Sequence, residues 1–306
     1  MRKPTRQGAA RLGAALALAL LTGCSAAARG AAPATREQAP ATREQAPAEQ
    51  TTWDLTLPAF TDVRVDAVTT DVSFRYGSGY ALHYELPAGE LLEQAEVQDG
   101  TLLFRTESEP DSSLQYNGQL VITLPEDTEL GEIRVDTSFG SLTFDGRANS
   151  LKYDTSSGDA KIGGVLAGGA EVYTSFGGLT FDGQANSLVY DTSSGDAEIG
   201  GVLDDSLEVD TSFGSLRFTG QAASLDFESS KGGAQVTGKI TDTLQMNTTT
   251  GPLTATLPDP ALHAETGGKL TVDGVEQAGS FSRQGSGCSA RITSSRGDIT
   301  ITTRAQ

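Results

Sequence analysis

Apolar side chains recur at every second position along most of the chain from residue 53 onward, and each short run ends near a glycine. A period of two places these side chains on one face of a β-strand, with the intervening Asp, Lys, Thr and Ser on the other face. Typical apolar pairs on either side of a glycine are Ile133/Val135, Leu142/Phe144, Leu151/Tyr153, Ala160/Ile162, Leu179/Phe181 and Leu188/Tyr190. The pattern predicts short strands that bury one face and turn at the glycines.

These strands belong to a repeating unit. Residues 136–166 and 173–203 are identical at 26 of 31 aligned positions, and a diverged third copy begins at Asp210. Each 37-residue unit divides again, because the segment 137–144 is echoed at 155–162. Coils of 18 or 19 residues suit two or three short strands that stack ~4.8 Å apart. We therefore predict an all-β chain folded as a parallel β-solenoid (a β-helix), right-handed by the general preference of parallel crossovers.

Pattern and composition divide the chain into a signal peptide at 1–23, an Ala/Pro-rich disordered tether at 24–52 and the β-solenoid at 53–306. Within the solenoid, terminal repeats are expected to be atypical. We accordingly predict a divergent cap and first coils at 53–130, regular repeats at 131–275 and a closing coil at 276–306. The segment 292–301 returns to the repeat pattern, so we expect it to close the stack.

The first 23 residues have the features of a secretory signal, with four basic residues followed by an apolar run at 12–21. The tetrapeptide Leu21-Thr22-Gly23-Cys24 comes next and resembles the lipobox of bacterial lipoproteins. The resemblance implies that Cys24 becomes the mature N-terminus and carries a diacylglycerol, with acyl chains such as palmitate. The chain is then expected to be exported and lipid-anchored to the cell membrane or the outer membrane, with the solenoid facing the periplasm or the cell exterior.

Alternating strands flank a Leu-Pro step at 124–125 and again at 257–258. The first step is followed by coils of the form Thr-Ser-x-Gly-Asp, as at 155–159. Over residues 60–306 this arrangement resembles the bacterial putative-adhesin family of unknown function, related to head-GIN and auto-transporter-adhesin-like domains. The resemblance implies a parallel β-helix at the cell surface that acts as a non-catalytic scaffold or adhesin-like interaction module. The alternative is an envelope-stress or signalling protein whose solenoid docks another envelope protein.

The full chain carries 22 Lys and Arg against 40 Asp and Glu, a net charge of −18. Loss of the signal peptide removes four basic residues, which leaves 18 against 40 and a mature charge of −22. This charge argues against nucleic-acid binding and against docking on anionic lipid, so the membrane is a predicted partner only through the lipid on Cys24. With Cys24 acylated, Cys288 is left without a partner for an intramolecular disulfide.

A column of carboxylates is the candidate metal site. Asp136, Asp154, Asp191 and Asp210 each precede the Thr of their coil, and stacking brings Asp136 to about 5 Å from Asp154, and Asp191 to about 5 Å from Asp210. Like charges at this distance favour a bridging cation, and calcium is the hypothesis. The alternative is a solvated face on which water and salt screen the repulsion. The calcium-binding nonapeptide of other β-helices is absent from the sequence, and no other cofactor is predicted.

Three further patterns allow a binding interpretation and a structural one. A column of threonines resembles ice-binding surfaces, but each Thr lies an even number of positions after the preceding apolar residues that are predicted to face inward, which favours an internal hydroxyl ladder. This Thr ladder comprises Thr137, Thr155, Thr174, Thr192, Thr211 and Thr248. Arg296-Gly297-Asp298 spells an integrin-type tripeptide, yet it occupies the position where other coils have Ser-Gly-Asp, which favours a structural bend. Phe139, Phe176 and Phe213 could form an exposed strip for a glycan, but packing over the corner is the favoured interpretation.

The sequence offers few residues for catalysis. His83 and His263 are the two histidines, and both lie in strand-like segments without a nucleophile motif or metal-ligand spacing. Paired carboxylates on an acidic β-helix could make a carbohydrate-active enzyme, but such a site usually interrupts the repeat. We therefore predict that the protein is not an enzyme, with a glycan or an envelope protein as its possible partner.

Overall fold

The computed structural model describes residues 51–110 and 118–303, which form 27 β-strands and contain no helix. Cys24 and the predicted signal peptide lie outside the described residues. In chain order the strands are β1 (Thr51–Thr56), β2 (Asp62–Ala67), β3 (Thr70–Gly77), β4 (Ala81–Leu86), β5 (Glu90–Gln98), β6 (Thr101–Ser108), β7 (Gly118–Pro125), β8 (Glu129–Phe139), β9 (Leu142–Phe144), β10 (Arg147–Ser157), β11 (Ala160–Ile162), β12 (Val165–Phe176), β13 (Leu179–Phe181), β14 (Gln184–Ser194), β15 (Ala197–Ile199), β16 (Val202–Thr211), β17 (Leu216–Phe218), β18 (Gln221–Ser229), β19 (Ala234–Val236), β20 (Lys239–Thr248), β21 (Leu253–Thr256), β22 (Ala261–Thr266), β23 (Leu270–Val272), β24 (Val275–Gln277), β25 (Ser280–Arg283), β26 (Ser289–Ser294) and β27 (Ile299–Thr302).

The strands form two sheets that enclose one core. The long sheet contains 13 strands in the order β25-β22-β26-β20-β18-β16-β14-β12-β10-β8-β2-β6-β5. The short sheet contains 14 strands in the order β1-β4-β7-β3-β9-β11-β13-β15-β17-β19-β21-β27-β23-β24. From β8 to β21 each coil contributes one strand of 9–12 residues to the long sheet and one of three or four residues to the short sheet. The predicted parallel β-solenoid is therefore confirmed, and its handedness stays a prediction.

The register explains why coil length alternates between 18 and 19 residues. Ala148 pairs with Leu166, an offset of 18, but Ser150 pairs with Gly169, an offset of 19. A β-bulge in β12 absorbs the extra residue, and the register shifts again where β16 and β20 join the sheet. The 37-residue repeat is thus one coil without a bulge followed by one coil with a bulge.

The core alternates in the same two-coil rhythm. Where a long strand contributes Tyr153, the short strand of that coil contributes the smaller Ala160 and Ile162, and all three are buried. Where the next long strand contributes Val172, its short strand contributes Leu179 and Phe181. Large and small side chains therefore compensate within a coil and interdigitate between coils, as a close-packed interior requires. The repeat unit is two coils because one coil alone does not complete this packing pattern.

Glycines form a column at each of the two corners where the chain passes between the sheets. A Cβ placed on Gly195 would lie 1.8 Å from the carbonyl oxygen of Gly177, and one on Gly158 would lie 2.0 Å from that of Gly140. At the second corner, a Cβ on Gly164 would lie 2.1 Å from the oxygen of Gly146. The glycines with positive φ among the described residues lie elsewhere, at 89, 100, 274 and 279. Close approach of stacked backbones, and not positive φ, is therefore the reason for glycine at these bends.

At both ends of the stack the spatial order of the coils differs from their order along the chain, and we call a coil placed out of order an exchanged coil. At one end β2 lies between β6 and β8, and at the other end β26 lies between β20 and β22. The antiparallel strands β1, β4 and β5 cover the first end, and β24 and β25 cover the second. The expectation that 292–301 closes the stack was wrong: β26 and β27 insert one coil inside the end, between β20–β21 and β22–β23. Parallel pairing is satisfied in either order, so the repeat pattern alone does not determine which coil is last.

A buried carboxylate secures the first end. Glu90 is 5% exposed and lies against the corner between β2 and β3. Its side chain accepts hydrogen bonds from the backbone amides of Val68 and Thr69, both at 3.1 Å, and from the hydroxyls of Thr69, Thr70 and Thr106. This many donors satisfy a charged group that would otherwise be costly to bury. Glu90 is the first residue of β5, and it thereby fastens the β5–β6 hairpin onto the coil formed by β2 and β3.

The stacked corner predicts an effect of adding one methyl group. We expect Gly195→Ala to lower the free energy of unfolding by roughly 2–4 kcal/mol, because the backbones of two coils must separate to admit the Cβ. Gly79→Ala is the matched control, since a Cβ there meets no atom within 4 Å. Chemical denaturation of both variants measures the difference. Equal stability of the two variants would show that close approach does not constrain the corner.

The two-coil rhythm predicts which deletions the stack tolerates. Removal of residues 158–194 joins Ser157 to Gly195 and keeps the alternation, so we expect a folded protein that is ~9.6 Å shorter. Removal of residues 158–176 joins Ser157 to Gly177 and places Tyr153 in one layer with Phe181, and this overpacking should cost roughly 1–3 kcal/mol. Thermal melting and small-angle X-ray scattering compare the two. A one-coil deletion as stable as the two-coil deletion would contradict the packing argument.

Candidate functional site

Two columns of charged residues run along the outer face of the long sheet. The register aligns one column as Asp66, Asp136, Asp154, Tyr173, Asp191, Asp210, Glu228 and Asn247. Two positions earlier in each strand, the second column is Arg64, Arg134, Lys152, Glu171, Val189, Glu208, Asp226 and Gln245. The predicted neighbours Asp136 and Asp154, as well as Asp191 and Asp210, therefore do pair in register. Tyr173 separates the two pairs.

The two columns neutralise each other in the N-terminal half. Arg134 donates to both carboxylate oxygens of Asp136, at 2.6 and 3.0 Å, and this hydrogen-bonded pair raises the pKa of the guanidinium. Lys152 lies 3.0 Å from Glu171 and over the ring of Tyr173, at 4.7 Å from its centroid. The carboxylate of Asp136 is thus occupied by an arginine. Sequence reasoning missed this cation because it compared carboxylates in neighbouring coils and did not consider Arg134, which lies two positions before Asp136 on the same face of the same strand.

The C-terminal half of the face is acidic. Glu208, Asp210, Asp226 and Glu228 lie on two adjacent strands, β16 and β18. Burial of the Asp226 carboxylate raises its pKa, and the neighbouring charges of Glu228 and Glu208 raise it further. Among the described residues, no three metal-ligating side chains converge on one point. Calcium binding at Asp136, Asp154, Asp191 and Asp210 therefore stays a hypothesis that rests on the sequence pattern.

The Thr ladder faces the interior. Its six members are between 2% and 9% exposed, and the backbone amide of Gly214 donates to the Thr211 hydroxyl at 2.9 Å. The hydroxyl of Thr248 in turn donates to the carbonyl oxygen of Gly232 at 2.9 Å. Thr211 and Thr248 thus bond the backbone at the glycine corner, whereas the hydroxyls of Thr174 and Thr192 are buried without a hydrogen-bond partner among the described residues. The burial of the ladder removes the ice-binding interpretation, which requires an exposed array.

The tripeptide at 296–298 is a corner of the stack. Gly297 belongs to the glycine column, since a Cβ there would lie 1.9 Å from the carbonyl oxygen of Gly251. Asp298 accepts the backbone amide of Lys269 in the next coil at 2.8 Å. Asp159 and Asp196 do the same for the amides of Gly178 and Ser215, at 2.7 and 2.8 Å. The Asp after each corner glycine is thus a backbone cap between coils.

Three phenylalanines lie on the outside of this corner. Phe139 is 37% exposed, Phe176 63% and Phe213 58%, so the favoured interpretation, in which they pack over the corner, was wrong. The stacked glycines leave no room beneath the corner for a ring, and the side chain before the glycine must point outward. Register pairs Ser157 with both Phe139 and Phe176, so phenylalanine and serine alternate along the column.

A shallow groove runs beside these rings along the outer face of the short sheet. Its volume is about 930 Å³, and it begins two residues after Phe176 and Phe213, at Gly178 and Ser215. The outward side chain of each short strand lines it: Lys161, Thr180, Glu198, Arg217, Gln235 and Thr254. Arg217 lies 3.6 Å from Glu198, so the groove carries paired charges and small polar groups.

The histidines lie outside this edge. His83 Nδ1 is 2.8 Å from Asp54 Oδ1, on the antiparallel strands of the cap. His263 Nδ1 is 2.9 Å from the Ser282 hydroxyl, while its Nε2 is 4.0 Å from Glu265. A catalytic triad needs a hydrogen-bonded carboxylate to orient the imidazole, and 4.0 Å is too long for one. Sequence reasoning missed the serine because the hairpin between β22 and β25 breaks the repeat.

Cys288 is buried in the described part of the chain, and burial raises the pKa of its thiol. A thiol in such an apolar site is unreactive, so its role is packing. Within the described ranges, no helix is long and apolar enough to cross a membrane.

The acidic face predicts a stabilising substitution. The folded-state pKa of Asp226 lies above its ordinary value of 3.8, so the folded state binds the proton more tightly than the unfolded state. The ionised carboxylate therefore opposes folding at pH 7, and that penalty disappears as pH falls through the raised pKa towards 3.8. We expect Asp226→Asn to raise the free energy of unfolding at pH 7, by less than about 1 kcal/mol because solvent screens the group.

Denaturation between pH 3 and pH 8 measures the gain from Asp226→Asn, with the exposed Asp242→Asn as control. The gain should shrink towards low pH for Asp226→Asn only. A loss of stability at pH 7 would mean that the ionised carboxylate supports the fold.

Comparison with known proteins identifies the family. Residues 60–304 match the family model described as Toastrack DUF4097, whereas no curated protein matches the chain. A solved structure from Parabacteroides distasonis, described as a putative lipid binding protein, is 17% identical with a TM-score of 0.52 and covers 82% of this chain and 96% of its own. A putative adhesin from the same organism is 13% identical with a TM-score of 0.50 and covers 83% of this chain and 97% of its own. At these identities the likeness concerns the fold. The predicted resemblance to the putative-adhesin family is confirmed, and the chain belongs to the Toastrack DUF4097 family.

Proposed function

We propose that this protein is a lipid-anchored cell-envelope protein whose solenoid is a non-catalytic scaffold that presents a binding edge. The observation that carries the proposal is the edge formed by Phe139, Phe176 and Phe213 with the groove beside it. Surface rings that recur at a fixed interval along a rigid stack are expensive to expose to water unless they contact something. One of the similar structures is described as a putative adhesin, and that description is consistent with such a role.

The regularity of the stack supports a scaffold over an enzyme. The coils from β8 to β19 pair in parallel with a β-bulge in every second coil, and the corner aspartates at 159 and 196 accept backbone amides. A catalytic acid or base must exchange protons with a substrate, and a carboxylate that accepts a backbone amide is poorly placed to do so. The paired-carboxylate enzyme considered from the sequence therefore gains no support from this edge.

The lipid anchor is the second part of the proposal and rests on the lipobox. Leu21-Thr22-Gly23-Cys24 follows a basic and apolar leader, and the stretch from 24 to 50 separates that cysteine from β1. At ~3.1 Å per residue, a fully extended segment of this length could place the solenoid up to roughly 80 Å from the membrane. The chain's own charge of −18 disfavours attachment to anionic lipid by the protein surface.

Replacement of the two cysteines tests the anchor. We expect the wild-type chain to enter the detergent-rich phase on Triton X-114 partitioning, and Cys24→Ser to remain in the aqueous phase because it cannot be acylated. Cys288→Ser is the matched control, since it removes the buried cysteine and should leave partitioning unchanged. Mass spectrometry of the mature N-terminus reports the acyl mass directly. A wild-type protein found in the aqueous phase would overturn the anchor and leave the binding edge to be tested on its own.

A further inference from the structure

The rings at the glycine corner belong to one continuous column. Ser157 pairs in register with Phe139 and Phe176, and Phe176 pairs with Ser194. Beyond the end of β16 the backbone continues the same pattern, because the amide of Phe213 donates to the carbonyl of Ser193 at 3.1 Å and that of Lys231 to the carbonyl of Ser212 at 3.0 Å. We define the Phe strip as the column Phe139, Ser157, Phe176, Ser194, Phe213 and Lys231.

We propose that the Phe strip is a binding track for an extended, neutral, β-linked polysaccharide that lies parallel to the solenoid axis. The inference rests on the proposed function and names the class of its ligand. Successive rings are two coils apart, or ~9.6 Å. This interval is close to the length of one disaccharide in an extended β-1,4-linked glycan, whose alternate sugar rings present the same face. A polymer of that period meets each of the three rings without a change in conformation.

The chemistry of the strip fits sugar rings. An aromatic face carries partial negative charge and attracts the polarised C–H bonds on the apolar face of a pyranose, as it attracts the edge of another aromatic ring. Between the rings, Ser157 and Ser194 supply hydroxyl groups at the positions that face the intervening sugar. Apolar platforms with a few polar groups are the usual composition of ligand sites. The neighbouring groove adds Thr180 and Gln235 on the same edge.

Charge decides which glycans suit the track. The chain as a whole is acidic, with 40 Asp and Glu, so a polyuronic or sulfated glycan would be repelled along most of its length. Two residues beyond Ser157 and Ser194 in the chain, the carboxylates of Asp159 and Asp196 accept backbone amides, and Lys231 lies over the ring of Phe213 at 4.9 Å. A neutral polymer avoids the repulsion and needs no counter-ion.

The dimensions of the strip disfavour other occupants. It is one residue wide and serine interrupts it at every second coil, whereas a stable protein interface buries about 800 Å² on each partner. A lipid surface would have to accept the acidic C-terminal half of the long-sheet face beside the corner. A second copy of the chain or a vesicle remains a possible outcome of the experiment, and either would contradict the glycan assignment.

The repeat itself supplies the test variants. Serine already occupies the position of each ring in the intervening coils, so Phe139→Ser, Phe176→Ser and Phe213→Ser together should preserve the stack. The control comes from the opposite corner, where Val165 and Val202 are 44% and 39% exposed and alternate in register with Gln184 and Gln221. Val165→Gln with Val202→Gln removes two exposed apolar side chains at a corner away from the strip.

Isothermal titration of the full chain with cellohexaose, mannohexaose and chitohexaose tests the proposal. We expect wild-type protein to bind at least one of the three, the valine control to bind equally well, and the triple Phe variant to bind at least about tenfold more weakly. Thermal melting checks that both variants remain folded. Single Phe→Ser variants should each weaken binding by a smaller factor, and Phe176→Ser, which removes the central ring, should have the largest effect.

Three results would overturn the track. The first is that wild-type protein binds none of the three oligosaccharides, and the second is that the triple Phe variant binds them as well as wild type does. The third is that wild-type protein dimerises or binds phosphatidylcholine vesicles through the strip, so that the triple Phe variant loses that property and not glycan binding. The cysteine variants distinguish this failure from failure of the proposed function, because partitioning of Cys24→Ser does not depend on the strip. A chain that is anchored but indifferent to these glycans would keep the first proposal and lose the second.

Discussion

The close approach of stacked backbones at the two glycine corners is the constraint on which the rest of the structure depends. A β-carbon at Gly232 would lie 1.5 Å from the carbonyl oxygen of Gly214, so the corner admits no side chain. This contact fixes where each coil turns, and thus how many residues lie between the turns. It also fixes direction: the Thr two or three residues before the glycine points inward to bond the corner, while the residue just before the glycine points outward. Interior and surface are set by the same glycine.

The period of the surface follows from the packing of the core. A coil with Tyr190 on its long strand needs Ala197 and Ile199 on its short strand, whereas the next coil reverses the sizes with Val209 and Phe218. The two-coil unit must therefore be copied as a whole, and every outward residue is copied with it. A ring on the surface of one unit reappears two coils later at a spacing that the sheet ladder sets to ~9.6 Å. An edge of exposed rings with a fixed pitch is thus a by-product of interior packing.

Much of the fold could be predicted from the sequence, because alternation and repeat length both report backbone geometry directly. The parallel stack, the inward Thr ladder and the structural role of Asp298 follow from parity and position. Two things could not. The exchanged coils at the ends are invisible, since residues 292–301 carry the same pattern as any inner coil and hydrogen-bond equally well in either place. The exposure of Phe176 is also invisible, because a phenylalanine next to a bend is apolar whether it packs or binds.

The exchanged ends bear on how such a binding edge could work under load. In a simple solenoid the terminal coil pairs on one side only and frays first, as in other linear repeat proteins. Here the last strands of the chain, β26 and β27, lie one coil inside the stack, and β2 and β3 lie one coil inside at the other end, with Glu90 fastened over their corner. To unravel from β26 and β27 the chain must first break pairing on both sides of a coil, whereas β1 is an edge strand that pairs, among the described strands, only with β4. The proposed glycan would contact three rings on one rigid track, and several weak contacts made together bind more tightly than each does alone. The inserted coil at the end with β26 and β27 would help to keep the spacing of those rings fixed.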